Sequence, residues 1–321
     1  MAFEDFLDSF TTLVEASPSE SLDGGRRYVV VSDLHMGDGG SRDDLTANRA
    51  LLRSALREWY LPRGYTLVLN GDIEELHKFS RAEIRRAWGP LYAVFDEFAQ
   101  RGALRKIIGN HDLSLLGAKD HPYELLHGLS LLHGERRFFV FHGHQASRFL
   151  SKHNYLSDFI VRHLAKPLNV KNASVSRDSH ARYKTERRIY KAARRLGIAA
   201  VAGHTHRPLF ESLSKYDSLR WSMESLLREY PAAGEERRLR IAELVGLYRG
   251  EFERLKKRDR KYGLSRGLYE DRDLVVPCLF NSGCATGKNG FTALEFGDAA
   301  VSLVHWADGA AARPYLERQA L

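Results

Sequence analysis

Tyr28-Val29-Val30-Val31-Ser32-Asp33-Leu34-His35 joins a β-branched apolar run directly to an Asp-x-His. A short run that is apolar at consecutive positions reads as a strand buried on both faces. The same switch from apolar to polar recurs four more times along the chain. Leu67-Val68-Leu69 runs into Asn70-Gly71-Asp72, and Ile107-Ile108 into Gly109-Asn110-His111-Asp112. Phe139-Val140-Phe141 runs into His142-Gly143-His144, and Ala199-Ala200-Val201-Ala202 into Gly203-His204-Thr205-His206. Helical patterns over Asp43 to Trp59 and Arg81 to Gln100 separate the early strands, which predicts an α/β layered domain. Later runs at Leu279-Phe280, Phe291 to Phe296 and Val301 to Trp306 have no helices between them and predict an antiparallel portion closing the same sheet system.

Ligands of α/β sheets collect outside the carboxyl ends of the strands, so five polar strand ends would converge on one rim. A single Gly-Asp or Asp-x-His at such a place is usually a turn. Five of them in register with five strand ends spell a metal site. Two divalent cations held about 3.5 to 4 Å apart can clamp the attacking and leaving oxygens of a phosphoryl displacement. A carboxylate can bridge such a pair, while imidazoles and an amide oxygen complete each cation without neutralising its charge. Nitrogen and oxygen donors without thiolate suit Mn, Fe, Zn or Co, and affinity trends do not select among these.

The bulk properties bound the partners. Forty-nine Lys and Arg against 41 Asp and Glu leave a formal net charge of +8, which favours phosphate-bearing substrates, nucleic acid or anionic membrane. No apolar run approaches the roughly 20 residues that cross a bilayer, and no secretory signal is expected. The two cysteines, Cys278 and Cys284, are read as packing residues and suit a reducing cytoplasm, with contact at the inner membrane face as an open alternative.

Three segments lie outside the strand–helix frame. Residues 1–24 form a helical extension with Phe3, Phe6, Leu7, Phe10, Leu13 and Val14 on one face. That face either docks on the main domain, residues 25–321, or lies on a membrane, where Glu4, Asp5, Asp8 and Glu15 would be repelled by anionic lipid. A helical insert at about 147–196 carries an apolar face (Phe149, Leu156, Phe159, Ile160, Leu164) and the cations Arg148 and Lys152. It reads either as a lid for an amphipathic phosphorylated substrate or as an ordinary packed helix. Arg177, His180 and Arg182 are candidate phosphate contacts, as is Arg207 beside His206, whereas Lys171, Arg187 and Arg188 read as solvated surface. A highly charged insert at about 213–273 carries Ile241, Leu244, Val245, Tyr248, Phe252 and Leu255 at helical spacing. So narrow a stripe predicts packing on a neighbouring helix, in this chain or in a second subunit of a homo-oligomer.

The motif series resembles that of the calcineurin-like metallophosphoesterase superfamily: Asp-x-His, Gly-Asp-x-x-(Asp/Glu), Gly-Asn-His-(Asp/Glu), a His before Gly, and Gly-His-x-His, in that order over about residues 28 to 207. The resemblance implies a two-sheet β-sandwich flanked by helices. It implies Asp33, His35 and His206 on one metal, Asn110, His142 and His204 on the other, and Asp72 between them. It further implies that His111 works on the substrate phosphate, that Asp112 orients its ring, and that Glu75 is the outer carboxylate.

Ser32 to His35, Gly71 to Glu75, His204 to Pro208 and Asn281-Ser282-Gly283 are similar to the UDP-2,3-diacylglucosamine hydrolases and related bacterial phosphoesterases. The chain departs from them at His111 and His144, where those enzymes carry Arg and Asp, and in the 213–273 block. The expected activity is hydrolysis of a phosphoester or pyrophosphate bond in a nucleotide-containing or amphipathic metabolite. A nuclease or cyclic-nucleotide phosphodiesterase is the alternative, although the aromatic residues fall mostly within apolar faces rather than on a basic stripe. A non-catalytic scaffold would have lost ligands, and every one is present.

Overall fold

The computed structural model describes residues 3–146, 179–210, 213–262, 278–287, 290–307 and 315–321. Successive residues of the apolar runs in the early strands alternate between two buried apolar layers. Val29, Val31, Leu67 and Leu69 enter one layer, while Tyr28, Val30 and Val68 enter another. Burial on both faces is why these strands read as unbroken apolar runs rather than alternating ones.

In chain order the strands are β1 (Ser19–Ser21), β2 (Arg27–Val31), β3 (Tyr65–Asn70), β4 (Leu104–Ile107), β5 (Leu125–Leu126), β6 (Leu129–His133), β7 (Arg136–Val140), β8 (Ala199–Ala202), β9 (Leu209–Phe210), β10 (Leu213–Ser214), β11 (Leu279–Asn281), β12 (Phe291–Gly297), β13 (Ala300–Trp306) and β14 (Tyr315–Ala320). The helices are α1 (Phe3–Ala16), α2 (Arg49–Ser54), α3 (Arg81–Gln100), α4 (Ser179–Leu196), α5 (Lys215–Glu229) and α6 (Glu235–Tyr262). One mixed sheet has the order β1-β6-β7-β8-β11-β9-β10 and the other β14-β13-β12-β2-β3-β4-β5. Their facing sides share a core that includes Val30, Val68, Leu131, Phe138, Val201, Phe280 and Phe296. The second sheet's outer face packs under α3 through Trp88, Leu91, Phe95 and Phe98, and the first sheet's under α1 and α4. The expected sandwich with helices on both sides is what forms.

Local signals explain the helix positions. Ser80 and Glu83 form a reciprocal capping box that starts α3. The helix kinks at Trp88, two residues before Pro90. The span expected as one helix over Asp43 to Trp59 is instead a 3-10 turn, then α2, then a π-helical turn over Ala55–Tyr60.

The amino-terminal segment belongs to the sandwich. Phe6, Leu7, Phe10 and Val14 are buried, and Phe10 lies against Phe139 and Phe141 at ring-centroid distances of 5.6 and 5.1 Å. β1 then pairs in parallel with β6. Within the charged insert, the neighbour of α6 is α5 of the same chain, with which it forms a helical hairpin, and Ile241 is its buried anchor. Among the described residues no helix is long and apolar enough to cross a membrane.

Candidate metal centre

Register brings the ligand-bearing strand ends together. β2, β3 and β4 are parallel neighbours, with Val31 beside Leu69 and Asn70 beside Ile107. Asp33, Asp72 and Asn110 therefore leave one sheet side by side. In the other sheet β7 and β8 are parallel, with Val140 beside Val201, and deliver His142 and the His204–His206 loop to the same rim. Three hydrogen bonds sew the sheets together there. Asn70 Nδ2 donates to the Phe141 carbonyl at 3.1 Å, His142 Nδ1 lies 2.9 Å from the Asn70 carbonyl, and the His204 amide donates to Asp33 Oδ2 at 2.9 Å.

The donor atoms of Asp33, His35 and His206 lie within 4.8 Å of one another, and so do those of Asp72, His142 and His204. Within the first group, His35 Nε2 and His206 Nε2 face each other at 3.2 Å, and Asp33 Oδ1 is 3.1 Å from His206 Nε2. Within the second, His142 Nε2 sits 3.1 Å from Asp72 Oδ2 without being aligned to bond it. Asn110 Oδ1 and the Nε2 atoms of His142 and His204 are buried and make no hydrogen bond. Leaving buried polar atoms unmatched costs about 1 to 3 kcal/mol each, so three at one point mark a place built for something else. Divalent cations fit that donor set of imidazole nitrogens, carboxylates and one amide oxygen.

Backbone geometry points to the same place. Among the described residues seven non-glycine residues have positive φ, and five of them are Asp33, His35, Asp72, His204 and His206. Such conformations cost of order 1 to 3 kcal/mol and persist where surrounding contacts over-determine them. The motif glycines have a steric reason. A Cβ on Gly71 would fall 2.5 Å from the His142 ring, and one on Gly109 would fall 2.2 Å from the Asp72 amide nitrogen.

Without cations the charges balance one another. Burial pushes the Asp33 and Asp72 carboxyls up, but the neighbouring imidazoles outweigh it and hold both below the usual carboxylate range, led by His206 for Asp33 and His142 for Asp72. Burial likewise pushes the His142 ring down, yet the Asp72 and Asp33 carboxylates raise it to about 9. His206 is raised well above the ordinary value by Asp33 against the same desolvation. His204 is pushed down to about 3, by burial first and by the nearby His142 charge second.

The ring of His111 is held by a residue other than the expected one. His111 Nδ1 lies 2.8 Å from Glu75 Oε1, and Glu75 Oε2 lies 3.2 Å from His35 Nδ1, so one buried carboxylate fixes both rings. The Asp112 carboxylate instead accepts from the Ile73 and Gly109 amides, at 2.9 and 2.6 Å. It shapes the loop rather than the imidazole. Burial, with Glu74 and Asp72 nearby, raises the Asp112 carboxyl to about 7.

Arg207, expected to contact substrate, has its guanidinium committed to the buried Glu186 carboxylate through Nε and Nη2. Arg188, expected on solvated surface, is half-buried and donates to the Ala146 carbonyl at 2.9 Å. Cys284, expected to do no more than pack, contacts the His206 ring and accepts from Thr286 Oγ1 at 3.3 Å. The His77 ring, not singled out from sequence, lies 4.5 Å from that of His111 and is exposed. Arg148, Lys152 and Arg177 lie outside the described residues.

The sequence profile of the calcineurin-like phosphoesterase family matches residues 26–208. Similar solved structures include YfcE, a phosphoesterase from E. coli, at 15% identity over 91% of this chain and 100% of that one, with a TM-score of 0.35. A conserved protein from Streptococcus pneumoniae TIGR4, described as a predicted phosphoesterase, is 12% identical over 91% and 98%, with a TM-score of 0.32. A dimetal phosphatase from Danio rerio is 14% identical over 92% and 99%, with a TM-score of 0.37. None of the curated proteins compared matches the chain.

Proposed function

The chain belongs to the calcineurin-like phosphoesterase family, hydrolases of phosphoester bonds with a dinuclear metal site, and from that premise we propose that it cleaves a phosphoester or pyrophosphate bond in a nucleotide-containing or amphipathic metabolite. One observation supports this reading above the others: seven side chains from five strand ends converge, and among their buried donor atoms Asn110 Oδ1 and His204 Nε2 make no hydrogen bond, while His142 Nε2 meets only the Asp72 carboxylate. Asp33, His35 and His206 would hold one divalent cation, Asn110, His142 and His204 the other, and Asp72 would lie between them. When bound, such a pair supplies Lewis-acid charge to the phosphoryl group and makes water a competent nucleophile near neutral pH.

The residues around the cations do the rest. The side chains of His111 and His206 are 21% and 20% exposed, whereas those of His142 and Asp72 are buried, so a phosphate approaches from the side of His111 and His206. With Nδ1 fixed by Glu75, His111 presents Nε2 to the phosphate and gives its proton to the departing oxygen. Desolvation works against that proton, but in the metal-free protein the Asp72 and Glu75 carboxylates outweigh it and raise the His111 pKa above its ordinary value.

A substrate screen tests the reading. UDP-diacylglucosamine, other nucleoside diphosphate conjugates and single-stranded DNA are offered to the metal-loaded protein. Turnover of the diphosphate conjugates is expected. Cleavage of DNA alone would overturn the proposed substrate class while leaving the reaction type in place.

A further inference from the structure

α4 reaches two of the ligand-bearing loops with side chains that belong to no motif. The Glu186 carboxylate is 1% exposed. It accepts from Thr205 Oγ1 at 2.8 Å and from the fork of Arg207, so its partners are the residue between His204 and His206 and the residue after them. Two positions along the same helix, Arg188 Nη1 bonds the carbonyl of Ala146, which closes the turn that follows His142. Ile189 lies against Gly143 in that turn.

This expense of charge needs a reason. A buried carboxylate costs several kcal/mol unless it is fully paired, and an apolar residue on α4 would cover the sheet more cheaply. The loop it binds is strained, with His204 and His206 at φ of 63° and 58°. Strained backbone is kept by contacts from outside, and Thr205 has them on two sides. Glu186 holds its hydroxyl from α4, and Asn281 Nδ2 approaches the same oxygen at 3.1 Å while bonding the Gly203 carbonyl at 2.8 Å. Neither Glu186 nor Arg188 belongs to the ligand groups themselves.

We propose that Glu186 and Arg188 are positioning residues, a brace by which α4 sets the His204–His206 loop and the His142 turn at the spacing two cations require. The proposal rests on the dinuclear reading above. A partner bonded directly to a ligand typically weakens metal binding by about 10- to 100-fold when lost; Glu186 stands one step further back, on Thr205 and Arg207 beside the ligands, so the low end of that range applies.

The test is a calorimetric titration of metal-free protein with Mn(II) or Co(II), with the melting temperature of each metal-free variant recorded alongside. Glu186→Gln keeps the shape and removes the charge. It should weaken cation binding about 10-fold or more while the metal-free protein stays folded, and lower kcat more than it raises KM. Arg188→Met should weaken binding less, since it frees one turn only. Glu186→Gln combined with Arg207→Gln should lose no more affinity than the worse single variant, because the two groups act as one unit. A folded Glu186→Gln protein that binds two cations with wild-type affinity overturns the brace. Should that variant fail to fold, Thr205→Val, which leaves the Glu186–Arg207 pair intact, carries the same titration, and wild-type affinity there overturns the brace equally. A wild-type protein that takes up no cation fails in a different arm and overturns the dinuclear reading itself.

Discussion

Loading the centre with cations near pH 7.5 is expected to release at least one proton per protein, with the His142 ring as its clearest source. In the metal-free protein the His142 ring stays protonated up to about 9, and the His206 ring is also raised, each held by an adjacent carboxylate against desolvation. An imidazolium cannot ligate, so each ring must shed its proton on binding. Asp33 and Asp72 are already anionic and His204 already neutral, so they release none. Each proton released makes the overall binding constant rise about 10-fold per pH unit in this range. The stability of the metal-free protein runs the other way. A raised histidine stabilises the fold fully below its unfolded value near 6.5, and that contribution is lost as pH climbs through its folded value. For His142, moved from 6.5 to about 9, the loss is on the order of 3 kcal/mol. The assay is calorimetry in a set of buffers with different ionisation enthalpies, combined with thermal melts of metal-free protein between pH 6.5 and 9. Zero net proton release, or a metal-free fold that grows more stable across that interval, would refute the charge assignment.

Three further perturbations probe other links. Glu75→Gln should cut kcat/KM by about 10- to 100-fold, roughly 1.4 to 2.7 kcal/mol, because one carboxylate orients both His111 and His35; steady-state kinetics with Asp112→Asn as comparison reads it, and a larger effect on ring orientation from Asp112 would reverse the assignment. Phe10→Ala should destabilise the whole domain by about 3 to 5 kcal/mol in chemical denaturation, since Phe10 is wedged between Phe6, Phe139 and Phe141; a change under about 1 kcal/mol would mean that α1 is dispensable. Gly109→Ala should abolish metal uptake without replacing a ligand, because the new methyl would fall 2.2 Å from both the Asp72 amide nitrogen and its Oδ1; normal metal content would show that the loop yields.

The amino-acid pattern carries the site better than it carries the contacts within it. Apolar runs that end in Asp, Asn or His mark strand ends because burial on both faces leaves no other place for those side chains, and β2, β3, β4, β7 and β8 follow from that alone. Which atoms meet is another matter. Asp112 sits next to His111 in sequence, but its backbone turns the carboxylate onto two amides, while Glu75 arrives from the segment after β3. Glu186 was beyond reach because it lies in a helix crowded with Lys and Arg, where a single Glu looks like one more solvated charge. Only tertiary packing sets it against Thr205 and Arg207. Cys284 is similar: nothing in its spacing foretells contact with His206, which depends on the loop after β11 returning to the rim. The hairpin of α5 and α6 was half legible, since the Ile241 to Leu255 stripe predicts a helical partner but not which one.

In the proposed function Asp72 and the six side chains around it hold two cations that support phosphoester hydrolysis. Elemental analysis of purified protein beside Asp72→Ala, each assayed on a generic aryl phosphodiester and monoester, tests it most directly. Close to two equivalents of divalent metal and turnover are expected in the wild type, with both lost in Asp72→Ala. Hydrolysis that persists in Asp72→Ala, or bound metal with no hydrolysis across a broad phosphoester panel, would contradict it.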